Sequence, residues 1–250
     1  MNVEQLDVFL LVGALVVVAA ILSVRIAVGV GLPSLLAYLG IGVAMGESGL
    51  GIPFEDADLA RALSFAALAV ILAEGGLTTR WETVRPTLPL GLSLATVGVA
   101  VSTCVVAVVA HTFLRFDWTL AVLLGAVFAP TDAAAVFSTL RRVPLVRRVA
   151  ATLETESGLN DAPTVVLVVL VSAGEALDHG PAFLGFEIVY ELALGGLLGA
   201  TVGATGAALL RRVALPASGL YPLAVMTFAV LGYAVPAAVH GSGFVGVYVA

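Results

Sequence analysis

Charge is scarce in this chain. Of its 250 residues 11% are charged and 60% are hydrophobic, and the mean hydropathy is +1.12. A soluble domain is typically about a quarter charged, so a soluble globular fold is excluded and the composition is that of a polytopic membrane protein. Lysine is absent, and all eleven basic residues are arginines. Cysteine occurs once, as Cys104 inside an apolar run, which excludes a disulfide framework and a thiolate metal site. The net charge of −6 gives no reason to expect a nucleic-acid partner, and none is expected. The start, "MNVEQLD", is acidic and runs into apolar sequence without a small-residue cleavage site, so the first run is expected to be a retained span and not a signal peptide.

What the chain has is long apolar runs. A span needs roughly 20 mostly apolar residues. Eight candidates follow, at about 6–24, 27–46, 61–77, 87–110, 117–140, 150–173, 184–210 and 219–239. A ninth begins near Ser242 and reaches Ala250. The expectation is a single transmembrane transporter domain over 1–250, forming about the N-terminal two-thirds of something longer and unable to catalyse exchange alone. The arginines orient it. Odd-numbered connections carry Arg25, Arg80, Arg85, Arg141, Arg142, Arg147, Arg148, Arg211 and Arg212, nine of eleven. Even-numbered ones hold Arg61 and Arg115 and collect Glu47, Glu55, Asp56, Asp58, Glu175 and Asp178. Cytoplasmic loops are the Arg-rich ones, so the 141–148 loop is expected inside and the N-terminus outside.

Two runs depart from plain apolarity. The first, "DWTLAVLLGAVFAPTDAAAVFSTL", has Pro130 in its interior, followed by Thr131 and Asp132. An interior proline removes a helix hydrogen bond and clashes with the preceding turn, at about 3 kcal/mol or more. An Asp two residues on is a good N-cap for a restarted helix. The pattern predicts a discontinuous helix, 117–129 and then 133–140, with an unwound joint between. Unwound backbone at membrane depth is tolerated only under protein or beside a water-filled cavity. The two half-helix ends suit an ion site.

The second run, "ATLETESGLNDAPTVVLVVLV", places Glu154, Glu156, Ser157, Asn160 and Asp161 at the mouth of hydrocarbon. Counted from Arg148, Asp161 lies about 20 Å deep and Glu156 about 12 Å, and Thr131 lies about 15 Å from Arg141, at 1.5 Å per residue. Thr131, Asp132, Glu156, Asn160 and Asp161 therefore share one slab near midplane. Ser157 with Asp161, and Glu156 with Asn160, are i,i+4 neighbours. The bland alternative, helix capping or pairing with loop arginines, suits Glu154. An ionisable group near midplane costs at least ~2.5 kcal/mol and marks a functional site by default, which suits Asp161.

"PTDAAAVFS" (130–138) followed by "ATLETESGLNDAP" (151–163), with "EGGL" (74–77) and "GSGFVGVYVA" (241–250), resembles the monovalent cation:proton antiporters of the CPA1 type. The likeness is greatest to the potassium/proton antiporter, cell volume regulation protein A-like branch. It implies an all-α inverted-repeat antiporter fold, a homodimer in the plasma membrane, and a K+ or Na+ ion and a proton as partners, with no cofactor. Residue by residue it implies that Asp161 takes either cation or proton and that Asn160 is its non-ionising neighbour. Thr131, Ser157 and Glu156 would complete or brace the cation shell, and Asp132 is the acid at the helix break. A second broken helix and a late basic residue facing the acids are also implied.

Other readings remain on the same residues. A cation channel or a non-transporting ion sensor would need nearly the same site. An intramembrane aspartyl protease would use Asp132 and Asp161. Glu74 is either an interfacial acid or part of an ion funnel. Glu187 and Glu191 suit bracing or an oligomer contact, and His111, His179 and His240 suit outer connections. "GGLLGATVGATG" (195–206) suits close helix packing, lacking the strand context of a dinucleotide loop.

Overall fold

The computed structural model describes residues 3–30, 34–47, 49–51, 54–132, 145–172, 181–213 and 215–250. Among them the chain is all helical. It divides within its third helix, at 62/63, into two compact units.

The first unit holds α1 (Val3–Val30) and α2 (Ser34–Met45), packed on each other, and the start of α3 (Ala57–Thr78). Here the expected spans 6–24 and 27–46 are corrected. Helix α1 runs through Arg25 without a break, because arginine is a good helix former and the next strong breaker in the sequence is Pro33. Arg25 is an exposed residue on the last turns of a helix, with a stem long enough to carry its charge to the interface. At 12 residues, α2 is only about 18 Å long.

The second unit carries the rest. Helix α3 enters it from the first unit, where Asp56 opens the helix, its Oδ1 accepting from the Leu59 amide at 2.9 Å. Thr78 and Thr79 hydroxyls donate back to the Glu74 and Gly75 carbonyls at 2.8 and 2.7 Å as the helix ends. After α4 (Trp81–Val84), the span expected at 87–110 is α5 (Leu88–Ser93), one π-helical turn (Leu94–Gly98) and α6 (Val99–Leu114). Arg115, left-handed at φ 60°, closes α6. Asp117 caps α7 (Trp118–Phe128), accepting from the Leu120 amide at 3.0 Å. The expected joint is present: α7 stops at Phe128, and Thr131 and Asp132 are not helical. The second half-helix, 133–140, lies outside the described residues, as do Arg141, Arg142, Glu175, Asp178 and His179.

The span expected at 150–173 forms α8 (Arg147–Leu159) and α9 (Asp161–Ser172), which meet at Asn160, whose backbone is right-handed helical and whose N–H bonds the Glu156 carbonyl at 2.9 Å. Pro163, with no N–H, cannot bond the Leu159 carbonyl. Thr164 compensates next door, its hydroxyl donating to the Asn160 carbonyl at 3.0 Å. Helix α9 buries Val166, Leu170 and Val171 against Val122 and Leu123 of α7. The last three helices are α10 (Pro181–Arg212), α11 (Leu220–Ala237) and α12 (Gly243–Val249), the last begun by Ser242.

Segments 57–78, 88–114, 185–212 and 220–237 are long and apolar enough to cross a membrane. Their outward faces are apolar too, with Val97, Val101, Val105, Leu197 and Val230 exposed, as hydrocarbon as solvent requires. The glycine-rich face of α10 packs as its sequence suggests. Gly195, Gly199 and Gly203 lie against the backbone of Ser242, Gly246 and Ala250, so α10 and α12 touch main chain to main chain. Beside this seam, Leu72 and Ala73 of α3, Ala162 of α9 and Phe244, Val245 and Val247 of α12 form the buried core. Phe65 and Tyr233 pack edge-on to Phe244, each with ring centroids 5.2 Å away.

Candidate functional site

Helix α8 is the least apolar long helix of the unit. Its sequence, RRVAATLETESGL, buries threonine, serine and glycine where other helices bury valine. Thr155, Ser157 and Asn160 are fully buried. One face of α8 is set by α5, where Gly91 lets the Thr155 side chain approach. A Cβ at Gly91 would sit 2.7 Å from Thr155 Cγ2. Another is set by α12, whose Tyr248 ring lies against Gly158, where a Cβ would come within 2.8 Å of the ring. The segment 155–161 is thus held from two sides before any polar contact is counted.

The polar contacts join it to the joint after α7. The Ser157 hydroxyl donates to the Thr131 carbonyl at 3.1 Å. The Thr131 hydroxyl donates to the Glu156 carboxylate, 3.1 Å from Oε2 and 3.3 Å from Oε1. The Asn160 amide Nδ2 donates to Thr131 Oγ1 and to Glu156 Oε1, both at 2.9 Å. Because a carboxylate only accepts, the contact to Glu156 fixes which way the Asn160 amide faces. Its Oδ1 is buried and has no hydrogen-bond partner among the described residues. These four residues form one network that joins the end of α7 to the junction of α8 and α9.

The network has chemical consequences. Glu156 accepts from two donors, the Thr131 hydroxyl and the Asn160 amide. Ser157 and Thr131 commit their hydroxyl protons to acceptors, which leaves their oxygens as acceptors, one lone pair of Thr131 Oγ1 being taken by the Asn160 amide. Asp161 opens α9, is half-buried, and has the carboxylates of Asp132 and Glu156 as its charged neighbours. Of the six residues singled out in the sequence, Thr131, Glu156, Ser157 and Asn160 are bonded together, and Asp132 and Asp161 lie alongside.

Several other sequence readings are now placed. Glu154 makes no ion pair with a described residue; the Arg61–Asp58 contact at 3.3 Å is the one ion pair among them. Glu74 is exposed. His111 stacks on Trp118 with centroids 4.1 Å apart and lies 2.8 Å from the Phe116 carbonyl, so it closes the α6–α7 turn. His240 is exposed beyond α11. The supports Gly91, Thr155 and Tyr248 were not legible as site residues, since nothing in the sequence says which glycine of 27 faces which helix.

Comparison with known proteins bears on the same segment. Residues 12–250 match the family described as sodium/hydrogen exchanger, transmembrane. The chain is 37% identical over 99% of its length to the K+/H+ antiporter NhaP2 of Shewanella oneidensis. It is 35% identical over 98% to the K+/H+ antiporter NhaP of Alkalimonas amylolytica. To the Na+/H+ antiporter NhaS2 of Synechocystis it is 29% identical over 84%. The chain spans 44%, 43% and 37% of those relatives. Its fold is that of the sodium proton antiporter MjNhaP1 from Methanocaldococcus jannaschii, with a TM-score of 0.76 at 20% identity, covering 97% of this chain and 61% of that one. On the family match and the identity to its relatives, the chain belongs to the transmembrane sodium/hydrogen exchanger family.

Proposed function

We propose that the protein to which this chain belongs is a secondary antiporter that exchanges a monovalent cation, K+ or Na+, for protons by alternating access. Cation and proton compete for Asp161. The carrying observation is the network in which Thr131, Glu156, Ser157 and Asn160 tie the joint after α7 to the junction of α8 and α9. A cation entering this slab sheds water and needs hard oxygen ligands in return. Asp161 offers a carboxylate, and Ser157 and Thr131 offer hydroxyl lone pairs. When the cation leaves, a proton replaces it on Asp161. One group with two exclusive occupants exchanges them, provided that the site opens to one side at a time. Asp132 closes the acid cluster at the joint, and Glu156 braces it. The fold's relatives are transporters by name, which leaves an aspartyl protease without support.

The protein works in the cell membrane as a homodimer, with the N-terminus outside and the 141–148 loop inside. Cysteines placed at Asn2 and Val143 of a Cys104→Ser background are expected to label from opposite sides of sealed vesicles. Labelling from one side would overturn this orientation.

Exchange is expected to be electroneutral, one cation for one proton. Asn160 cannot ionise, and Glu156 serves as a hydrogen-bond acceptor in the network, so Asp161 alone is taken to change occupant. The site then crosses with the same charge in either direction. The membrane potential, worth about 2.3 kcal/mol per charge per 100 mV, does not drive the cycle. The test is Na+/H+ exchange by the full-length protein in proteoliposomes, with valinomycin clamping the potential at zero or strongly negative. Equal rates are expected. Rates that follow the clamp would mean a second titrating acid, with Glu156 the first suspect, and a conductance without exchange would mean a channel.

A further inference from the structure

The span from Leu88 to Leu114 reaches both sides of the site with one run of chain. A row of its buried residues, Gly91, Ala95, Val99, Thr103 and Ala107, is spaced by four. In a regular α-helix each step of four overshoots a full turn by about 40°, so this row would wind through about 160°. The π-helical turn at Leu94–Gly98 takes up about one extra residue, or about 100°, and draws the row back to within about 60°. Helix α5 thereby packs on α8 while α6 packs on α7. At the α6 end, a side chain at Gly125 of α7 would overlap the Thr103 carbonyl, and Ala107 and Ala110 pack with Ala121. At the α5 end, Gly91 meets Thr155. One span therefore holds α8 at one end and α7, which leads into Thr131, at the other.

The contact at Gly91 has no slack. A Cβ there would stand 2.7 Å from Thr155 Cγ2, 2.8 Å from Thr155 Cβ and 3.4 Å from the Glu156 amide nitrogen, whereas carbon atoms rest at about 3.5–4.0 Å. Thr155 is fully buried and its hydroxyl donates to the Ala151 carbonyl at 2.7 Å, and no rotamer change moves its Cβ. A methyl at position 91 would displace the α8 backbone at Thr155–Glu156 by on the order of 1 Å. Glu156 and Ser157 meet the joint through hydrogen bonds of 3.1 Å, and such bonds are gone by about 3.6 Å. We infer that Gly91 is a positioning residue for the cation site. By lacking a side chain it sets the distance between the Glu156–Ser157 segment and Thr131, with the span 88–114 as the spacer between them. The inference rests on the exchange reading above, because that reading makes Ser157 and Thr131 cation ligands.

The test measures exchange by the full-length protein in proteoliposomes against Na+ and K+ concentration, beside the melting temperature in detergent. Gly91→Ala is expected to raise the half-saturating cation concentration about ten-fold, as a site displaced by about 1 Å requires, with the maximal rate within about three-fold of wild type. Thr155→Ser removes the methyl and keeps the hydroxyl, and is expected to raise half-saturation about three-fold. Gly91→Ala/Thr155→Gly moves the methyl from α8 to α5 and relieves the clash. Its half-saturation should return to within about three-fold of wild type, even though a glycine inside α8 lowers its melting temperature below that of Gly91→Ala. A merely structural role would instead rank the variants by melting temperature. Gly98→Ala, in the same span and facing only Leu94 Cβ at 4.0 Å, should keep the wild-type half-saturation. Wild-type half-saturation in Gly91→Ala (or in Thr155→Ser, should Gly91→Ala fail to insert), no recovery in the double variant, or half-saturation that follows melting temperature would each overturn the inference. An Asp161→Asn control separates the two readings: exchange surviving in it defeats the site assignment and this inference with it, whereas a dead control beside an unshifted Gly91→Ala defeats only the role of Gly91.

Discussion

Asp161→Asn is expected to abolish cation-dependent proton movement while the protein folds and inserts normally. The substitution keeps the volume and the planar shape of the side chain. It removes the exchangeable charge that the proposal assigns to this position. What is lost is both occupants at once, because an amide binds a proton negligibly and a cation without charge compensation. A fall of about 100-fold or more is expected, equivalent to about 2.7 kcal/mol on the limiting barrier. Proteoliposomes report it through a pH-sensitive dye on addition of Na+ or K+. The comparison of Ser157→Ala with this variant is informative, since the Ser157 hydroxyl also ties the Thr131 carbonyl.

The second large effect concerns the fold that holds the site. Gly199→Val is expected to cost about 3 kcal/mol or more, the upper range for forcing extra volume into a packed interior. A Cβ there would overlap the Gly246 carbonyl oxygen and lie 2.7 Å from the Gly246 Cα. Every one of these atoms is backbone, so no rotamer change relieves the contact. Helix α10 and α12 must separate, and α12 carries Phe244, Val245 and Val247 of the core. Gly13→Val, in α1, is the control, because nothing lies within 4 Å of its Cβ position. Thermal unfolding of the two variants in detergent should show a large fall in melting temperature for Gly199→Val and a value near wild type for Gly13→Val. Equal melting temperatures would contradict the main-chain seam between α10 and α12.

Both effects trace to features that differ in how far the sequence discloses them. Pro130 followed by Thr131-Asp132 announces a helix break, because proline acts on the backbone of its own chain segment and needs no partner to do so. Asp161 is legible for a similar reason, the cost of an acid at midplane being local. The glycine repeat of α10 is legible as a packing face through its four-residue spacing. Arg25 misled the placement of the first break, because charge marks where a chain meets water and not where a helix ends. The supports of the site, Gly91 under Thr155 and Tyr248 on Gly158, arise from contacts between segments about 60 and 90 residues apart in sequence, and no local pattern encodes them.

The same view explains why the site is built from short polar side chains on a helix so tightly held. Serine, threonine and asparagine lose little freedom when fixed, and each is fixed here by a partner across the contact between the joint after α7 and α8. Precise placement on rigid elements is what a site needs to choose between a bare cation and a proton.

The most direct test of that choice is proton release on cation binding. Purified full-length protein in weakly buffered detergent solution, at a pH where Asp161 is protonated, is titrated with NaCl or KCl against a choline chloride control while pH is followed with a dye. Competition for one carboxylate predicts up to one proton released per chain, saturating with cation and absent in Asp161→Asn. Cation binding without proton release, or the same release from Asp161→Asn, would contradict the assignment of both ligands to Asp161.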